Sequence, residues 1–155
     1  MWTPLNTVPA SDKIALTDPV PLKAMGRFRH EAIAVEPRSG VVYQTEDRGD
    51  GLFYRFIPTT PGKLAAGGRL QALKLKDLAR ADTRNWSEAK FKTGQSFPVE
   101  WVDISGVEAL DDDLRYQGFY ERGAARFARG EGAWYGNASG CGMMHSTGHT
   151  SMHCG

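Results

Sequence analysis

Three short apolar runs in the segment 26–56 set the pattern of the chain. Residues 32–35, 41–45 and 52–56 are rich in β-branched and aromatic side chains, which are typical of strands. The two gaps between these runs contain proline, glycine, serine and aspartate, which favour tight turns. Because short turns of this kind connect neighbouring strands as hairpins, the pattern predicts an antiparallel meander.

Two later runs extend the predicted sheet. Residues 69–75 alternate between apolar and polar, as expected for an outer strand with one solvated face. Residues 97–104 return to the strand pattern. Since four antiparallel strands make one propeller blade, we predict a mainly β fold with one or more four-stranded blades of an incomplete β-propeller. Short helical insertions are expected within 76–92 and 117–126.

The flanking segments differ from this central β region, which we place at 26–135. Residues 1–25 contain four prolines without sustained periodicity and predict an extended lead-in. Residues 136–155 contain no Asp, Glu, Lys or Arg but hold three of the four histidines and both cysteines. We expect a disordered tail there, in which these side chains form no dedicated metal site.

Charge and hydropathy exclude several classes of protein. The net charge is +1 and no basic stripe interleaves with aromatic residues, which argues against a nucleic-acid partner. No apolar run approaches the about 20 residues that a transmembrane helix requires. The first residues lack the order of a secretory signal, so this chain as it stands is expected to be cytoplasmic.

A short motif at the start of the central region recurs near its end. The sequence R-H-E-A at 29–32 returns as R-G-E-G at 129–132, and Ser-Gly at 39–40 returns at 139–140 with the same offset. Self-similarity at a fixed spacing is typical of propellers and solenoids. The motif therefore favours two structurally equivalent strands.

Glu31 and Glu131 are the sharpest candidates for chemistry. Each follows the start of the motif, where the innermost strand of a propeller blade faces the central channel. Carboxylates from different blades converge there, and their oxygens suit hard cations such as calcium. The alternative is that each glutamate pairs with Arg29 or Arg129, since residues i and i+2 of a strand share a face.

Further charged residues accompany these glutamates. The guanidinium of Arg129 matches phosphate oxygens, and Arg29 shares its predicted side. Glu46 and Asp47 end the second predicted strand and are weaker candidates for metal ligands. Their alternative is the solvated turn position that acidic residues commonly occupy. His30 points to the opposite strand face, where a packed and hydrogen-bonded histidine is expected.

The runs HEAIAVEPRSGVVYQTEDR, DGLFYRF and ARGEG occur in this order, and with them the chain resembles the PhoX-type alkaline phosphatases and their bacterial relatives. The resemblance extends from about Trp2 to Tyr135 and does not include the tail. It implies a periplasmic β-propeller hydrolase that cleaves phosphate monoesters with bound calcium and iron.

By position in the resemblance, Glu31 and Glu131 look like metal ligands from two blades, and Arg129 looks like the residue that grips the substrate phosphate. The family's remaining ligands lie outside this region. The resemblance therefore implies a central fragment that lacks other blades and is inactive as an isolated chain. The alternative is a non-catalytic propeller module that binds a partner or an ion, with structural Arg-x-Glu ion pairs.

Overall fold

The structure is a computed structural model that describes residues 19–110 and 113–136, together with the backbone of 141–146 and 152–153. These residues form two antiparallel sheets. The first contains β1 (His30–Val35), β2 (Val42–Glu46), β3 (Phe53–Pro58), β4 (Gly68–Leu75) and β5 (Val99–Asp103). The second contains β6 (Gly130–Gly136), β7 (Cys141–Ser146) and β8 (Met152–His153).

Helical structure in the described residues is short. A 3₁₀ turn covers Lys23–Met25 and another covers Leu64–Ala66. The helix α1 (Asp113–Tyr116) continues directly into a π-helical turn at Gln117–Glu121. None of the helices that the structure describes has the length and apolar character needed to cross a membrane.

The five-stranded sheet follows chain order, so each strand pairs with its sequence neighbour as a meander requires. The predicted mainly β fold with antiparallel strands is confirmed. Each of the five predicted apolar runs overlaps one of these strands, and the run at 97–104 contains β5, which joins the same sheet. One cross-strand row joins Ile33, Gln44, Tyr54, Ala72 and Val102. Tyr54, on the central strand β3, is the middle residue of this row.

Both faces of this sheet are buried. On one face, Tyr54 and Phe56 pack with Leu114 and Phe119 from the helical segment. On the other face, the cluster contains Phe53, Leu73, Leu75, Ala81, Ala125 and Phe127. Fully burying one large apolar side chain contributes about 1.5–3 kcal/mol. Burial on both faces is consistent with a propeller blade, which packs between two neighbours.

The helix predicted within 76–92 is absent from the structure, which has turns and isolated bridges there. The backbone of this segment pairs instead with the stretch 123–126. Arg80 N–H donates to Gly123 O at 2.9 Å, and Arg126 N–H donates to Ala81 O at 2.9 Å. These hydrogen bonds between segments that are distant in sequence replace the local hydrogen bonds that a helix would form. In the other predicted insertion, the helical part lies earlier, between residues 113 and 121.

The two flanking segments are described only in part. Most of the predicted lead-in, residues 1–18, lies outside the described residues. For 136–155 we predict a disordered tail, whereas the structure places β7 and β8 there. β7 pairs with β6 on one side and with β8 on the other, and this backbone pairing does not depend on charged side chains. Residues 137–140, 147–151 and 154–155 lie outside the described part.

Candidate functional site

The two strands that carry the recurring motif contain the same irregularity. In β1 one extra residue lies between His30 and Ile33, relative to the facing strand. In β6 one extra residue lies between Gly130 and Ala133. Each glutamate of the motif is thus part of a β-bulge, a feature that re-aims side chains and is common beside active sites. The sequence repeat therefore corresponds to a repeated β-bulge.

A buried threonine joins the two bulges. The Thr45 hydroxyl accepts a hydrogen bond from Ala32 N–H at 2.9 Å and lies 2.7 Å from Glu131 O, to which it donates. Ala32 is the residue after Glu31, and Thr45 is fully buried. One side chain of β2 therefore holds together the backbone segments that bear both candidate ligands.

The start of β6 lies very close to the end of β2. A Cβ added to Gly130 would lie 3.1 Å from Glu46 O and 3.2 Å from Thr45 Cβ, which is tighter than ordinary contact. The same addition at Gly132 would meet nothing within 4 Å. The first glycine of the R-G-E-G motif is therefore required by packing, and the second is not.

Arg129 is anchored through both its backbone and its side chain. Its backbone has a left-handed φ of 53°, and its N–H donates to Arg48 O at 2.8 Å. Its guanidinium pairs with Asp47 through Nε–Oδ1 and through Nη2–Oδ2, the latter at 3.1 Å. Glu131 Oε1 lies 3.8 Å from the same Nη2. The arginine–glutamate pairing weighed as an alternative is thus present here, but Asp47 makes the closer contacts.

Glu46 lies in the interior, with partners drawn from the core. Its Oε2 accepts hydrogen bonds from Leu52 N–H at 2.9 Å and from the Tyr54 hydroxyl at 3.3 Å, and its Oε1 lies 3.6 Å from Arg115 Nη1. Burial is the largest influence on this carboxyl and raises its pKa to about 7, against the lowering effect of these partners. This environment differs from that of Glu31, which is exposed.

His30 is packed and hydrogen-bonded, as predicted. Its Nε2 donates to Gly26 O at 3.0 Å, and its ring stacks on Phe28 with centroids 3.7 Å apart. Burial lowers the pKa of His30, against the raising effect of the hydrogen bond to Gly26, and so favours the neutral ring. His30 also lines an apolar cleft of about 600 Å³ together with Met25, Phe28, Ile33 and Gln44. The predicted ligands and Arg129 do not line this cleft.

The donors near the bulges have the chemistry of a calcium site but not its full number. Glu31 is exposed, and the side chains of Glu131 and Asp47 are about one third exposed or less. Calcium takes about 6–8 oxygen ligands. Within the described residues, no group of three or more His, Cys, Asp or Glu side chains is arranged to hold a metal ion. The described carboxylates near the bulges therefore supply fewer oxygen donors than a calcium ion takes.

Comparison with known proteins decides the family. The family model described as alkaline phosphatase PhoX matches residues 7–147. The chain belongs to the PhoX family. No curated protein matches the chain significantly. The PhoX match continues past Tyr135, so the expectation that the pattern ends there is wrong, and β7 is part of the family region.

One similar solved structure is described as Pseudomonas fluorescens PhoX in complex with vanadate, a transition state analogue. It shares 21% identity with this chain, with a TM-score of 0.49 over 82% of the chain. The present chain spans 25% of the length of that PhoX protein.

Two contacts of the site were not predicted from the sequence. Thr45 gave no signal, because a threonine inside a strand is ordinary. The pairing of Asp47 with Arg129 joins residues that are far apart in sequence, so no local pattern reports it. The recurring motif was the available signal, since it marked both bulges.

Proposed function

We propose that this chain is part of a PhoX-type alkaline phosphatase that hydrolyses phosphate monoesters at a site containing Glu31, Glu131 and Arg129. The observation that carries the proposal is the pair of equivalent bulges joined by Thr45. It places the backbones of two carboxylate residues side by side, next to a half-exposed guanidinium. Membership of a phosphatase family supports the same assignment.

Each residue has a distinct role in this proposal. Glu31 and Glu131 hold metal ions, for which calcium fits their oxygen donors and iron follows from the family resemblance. Bound metal ions neutralise phosphoryl oxygens and stabilise charge in the transition state. Arg129 donates hydrogen bonds to the substrate phosphate, a geometry that suits a guanidinium. Asp47 and Glu46 are weaker ligand candidates, because both already have partners in the protein.

The proposal concerns the intact protein to which this segment contributes. The chain spans 25% of the PhoX protein it resembles, and a calcium ion needs more oxygen donors than the bulges offer. The remaining ligands come from other blades, and the isolated chain is inactive. Periplasmic export follows from the resemblance and belongs to the same proposal.

The test is to substitute Glu131→Gln in the intact protein and to measure metal content by plasma mass spectrometry alongside p-nitrophenyl phosphate hydrolysis. Because a metal ligand is lost, we expect bound metal and activity to fall together, by at least about 10–100-fold in activity. The matched control is Glu36→Gln, a surface glutamate that bonds only within its own turn. Retained metal and activity in the Glu131 variant would refute the assignment.

A second function, a non-catalytic propeller module, is favoured by one observation. Arg129 pairs with Asp47 and also lies near Glu131, as a purely structural ion cluster would. In that case the intact wild-type protein would hydrolyse no phosphate monoester. The Glu131→Gln variant would then lower thermal stability without changing metal content.

A further inference from the structure

We propose that Asp47 is a positioning residue that orients Arg129 toward phosphate and is not itself a metal ligand. This inference rests on the proposed function, in which Arg129 binds the phosphate group. It assigns a separate role to one of the acidic residues that end β2.

The contact between the two side chains is side-on. Asp47 faces the Nε and Nη2 atoms of Arg129, with Nη2–Oδ2 at 3.1 Å. A guanidinium carries five N–H donors, so this pairing uses only part of them. The Arg129 side chain remains 54% exposed, whereas that of Asp47 is 26% exposed. The carboxylate is thus turned inward to the arginine, while the arginine keeps an accessible side for a ligand.

The backbone on each side of the pair is fixed. Asp47 N–H donates to Arg29 O at 2.9 Å, and Arg129 N–H donates to Arg48 O at 2.8 Å. Arg129 also has a positive φ of 53°, which a non-glycine residue adopts only when its surroundings require it. A long side chain that is held at its backbone and at its guanidinium loses little freedom when it binds a ligand. Asp47 is the residue that restrains the guanidinium, whereas Arg48 O restrains the backbone of Arg129.

The orientation has a chemical consequence for phosphate binding. Bidentate recognition requires the guanidinium plane to be aligned with two phosphate oxygens. Without the carboxylate, the arginine samples several rotamers and must be ordered by the ligand. Loss of Asp47 should therefore weaken phosphate binding even though its own negative charge is removed. A simple electrostatic effect would have the opposite sign, because removing an anion strengthens binding of another anion.

The experiment uses the intact protein with Asp47→Asn, which keeps the size of the side chain. We expect KM for p-nitrophenyl phosphate and the inhibition constant of inorganic phosphate to rise about 10-fold, the value of a hydrogen bond to a charged group. Metal content and the thermal unfolding midpoint should stay near wild type. A fall in metal content, or unchanged or tighter phosphate binding, would overturn the inference.

A double variant tests whether Asp47 acts through Arg129. If it does, Asp47→Asn adds less than about 2-fold to the loss caused by Arg129→Ala, since the two effects are coupled. Independent, multiplying losses would overturn the inference. The matched control is Asp50→Asn. Asp50 lies in the same loop, but its Oδ1 pairs with Arg115 Nε at 3.2 Å. Its phosphate inhibition constant should equal that of wild type.

Calorimetric titration of inorganic phosphate separates this inference from the proposed function. A wild-type protein that binds phosphate without hydrolysis refutes the phosphatase assignment, and the Asp47→Asn variant still measures the positioning role. A wild-type protein that neither binds nor hydrolyses phosphate refutes both. Hydrolysis that is unchanged by Asp47→Asn refutes the positioning role alone.

Discussion

At the scale of single residues, Thr45 is a small side chain that links two separate strands through its hydroxyl group. Its hydroxyl is the only polar group of a fully buried side chain, and it serves one backbone group in β1 and one in β6. Within the described residues β1 and β6 belong to different sheets, and Thr45 links these two segments. This hydroxyl therefore contributes to the relative position of the strands that bear Glu31 and Glu131.

The variant Thr45→Val keeps the shape of the side chain but removes this hydroxyl. Because Ala32 N–H and Glu131 O would lose their buried partner, we expect a loss of about 1–3 kcal/mol in the free energy of unfolding. Urea denaturation of the intact protein measures this loss. Under the proposed function, in which Glu31 and Glu131 bind metal, we also expect bound metal to decrease, because the backbone segments of both glutamates lose a shared hydrogen-bond partner.

Thr83→Val is the matched control for this substitution. Thr83 is also buried, and its hydroxyl donates to Arg126 O at 2.9 Å, away from the bulges. We expect a comparable loss of stability with unchanged metal content. Equal metal loss in both variants would contradict a specific role of Thr45 at the site.

At the scale of elements, the close approach of β6 to β2 determines where the second bulge lies. We expect Gly130→Ala to lower the free energy of unfolding by about 1–3 kcal/mol, because the new Cβ meets backbone atoms that cannot move independently. Thermal or urea denaturation is the measurement.

Gly132→Ala provides the comparison within the same motif. An added Cβ there has no neighbour within 4 Å, so its effect should stay within about 0.5 kcal/mol. Similar losses in the two variants would show that glycine serves backbone flexibility in this motif rather than close packing.

The sequence predicted the strands of the first sheet well, because each has an apolar pattern and a clear turn at its ends. It failed for 76–92, whose backbone partners lie in 123–126. Long-range pairing of this kind overrides local helix propensity and leaves no periodic signal. The recurring motif singled out Glu31, Glu131 and Arg129 as candidates. No local pattern reports the long-range contacts of Thr45 with Glu131 and of Asp47 with Arg129.

At the scale of the whole molecule, Asp82 connects two segments that are distant in sequence. Its carboxylate accepts hydrogen bonds from Arg84 Nε and Nη2, both at 2.7 Å, and from Arg126 Nη2 at 2.8 Å. The hydrogen bonds from Arg84 are the largest influence on this carboxyl. Together with the hydrogen bond from Arg126 they outweigh desolvation and hold the pKa of Asp82 well below its usual range. The irregular segment after β4 is thereby attached to the chain that leads into β6.

This pKa shift predicts a dependence of stability on pH. Because the folded pKa lies below the unfolded one, Asp82 stabilises the fold above about pH 4, and this contribution is lost as the pH falls further. We expect Asp82→Asn to be less stable than wild type at pH 7 and to lose less stability between pH 4 and pH 3. Urea denaturation at several pH values measures the difference.

Asp77→Asn is the control, since Asp77 is an exposed carboxylate in the same segment. Its stability should follow the wild-type pH curve. Parallel curves for wild type and Asp82→Asn would contradict the stabilising role of the Asp82 cluster.

The paired bulges also determine which sequence changes these strands can tolerate. Side chains alternate between the faces of a regular strand, so one extra residue reverses the parity of everything on one side of it. In β1 this reversal lets His30 and Ile33, three positions apart, both lie on the Tyr54 side of the sheet. Deleting a single residue at either bulge would restore regular alternation. The side chains that precede the bulge would then move to the opposite face of the sheet. Single-residue gaps should therefore be rarer at these two points than substitutions are.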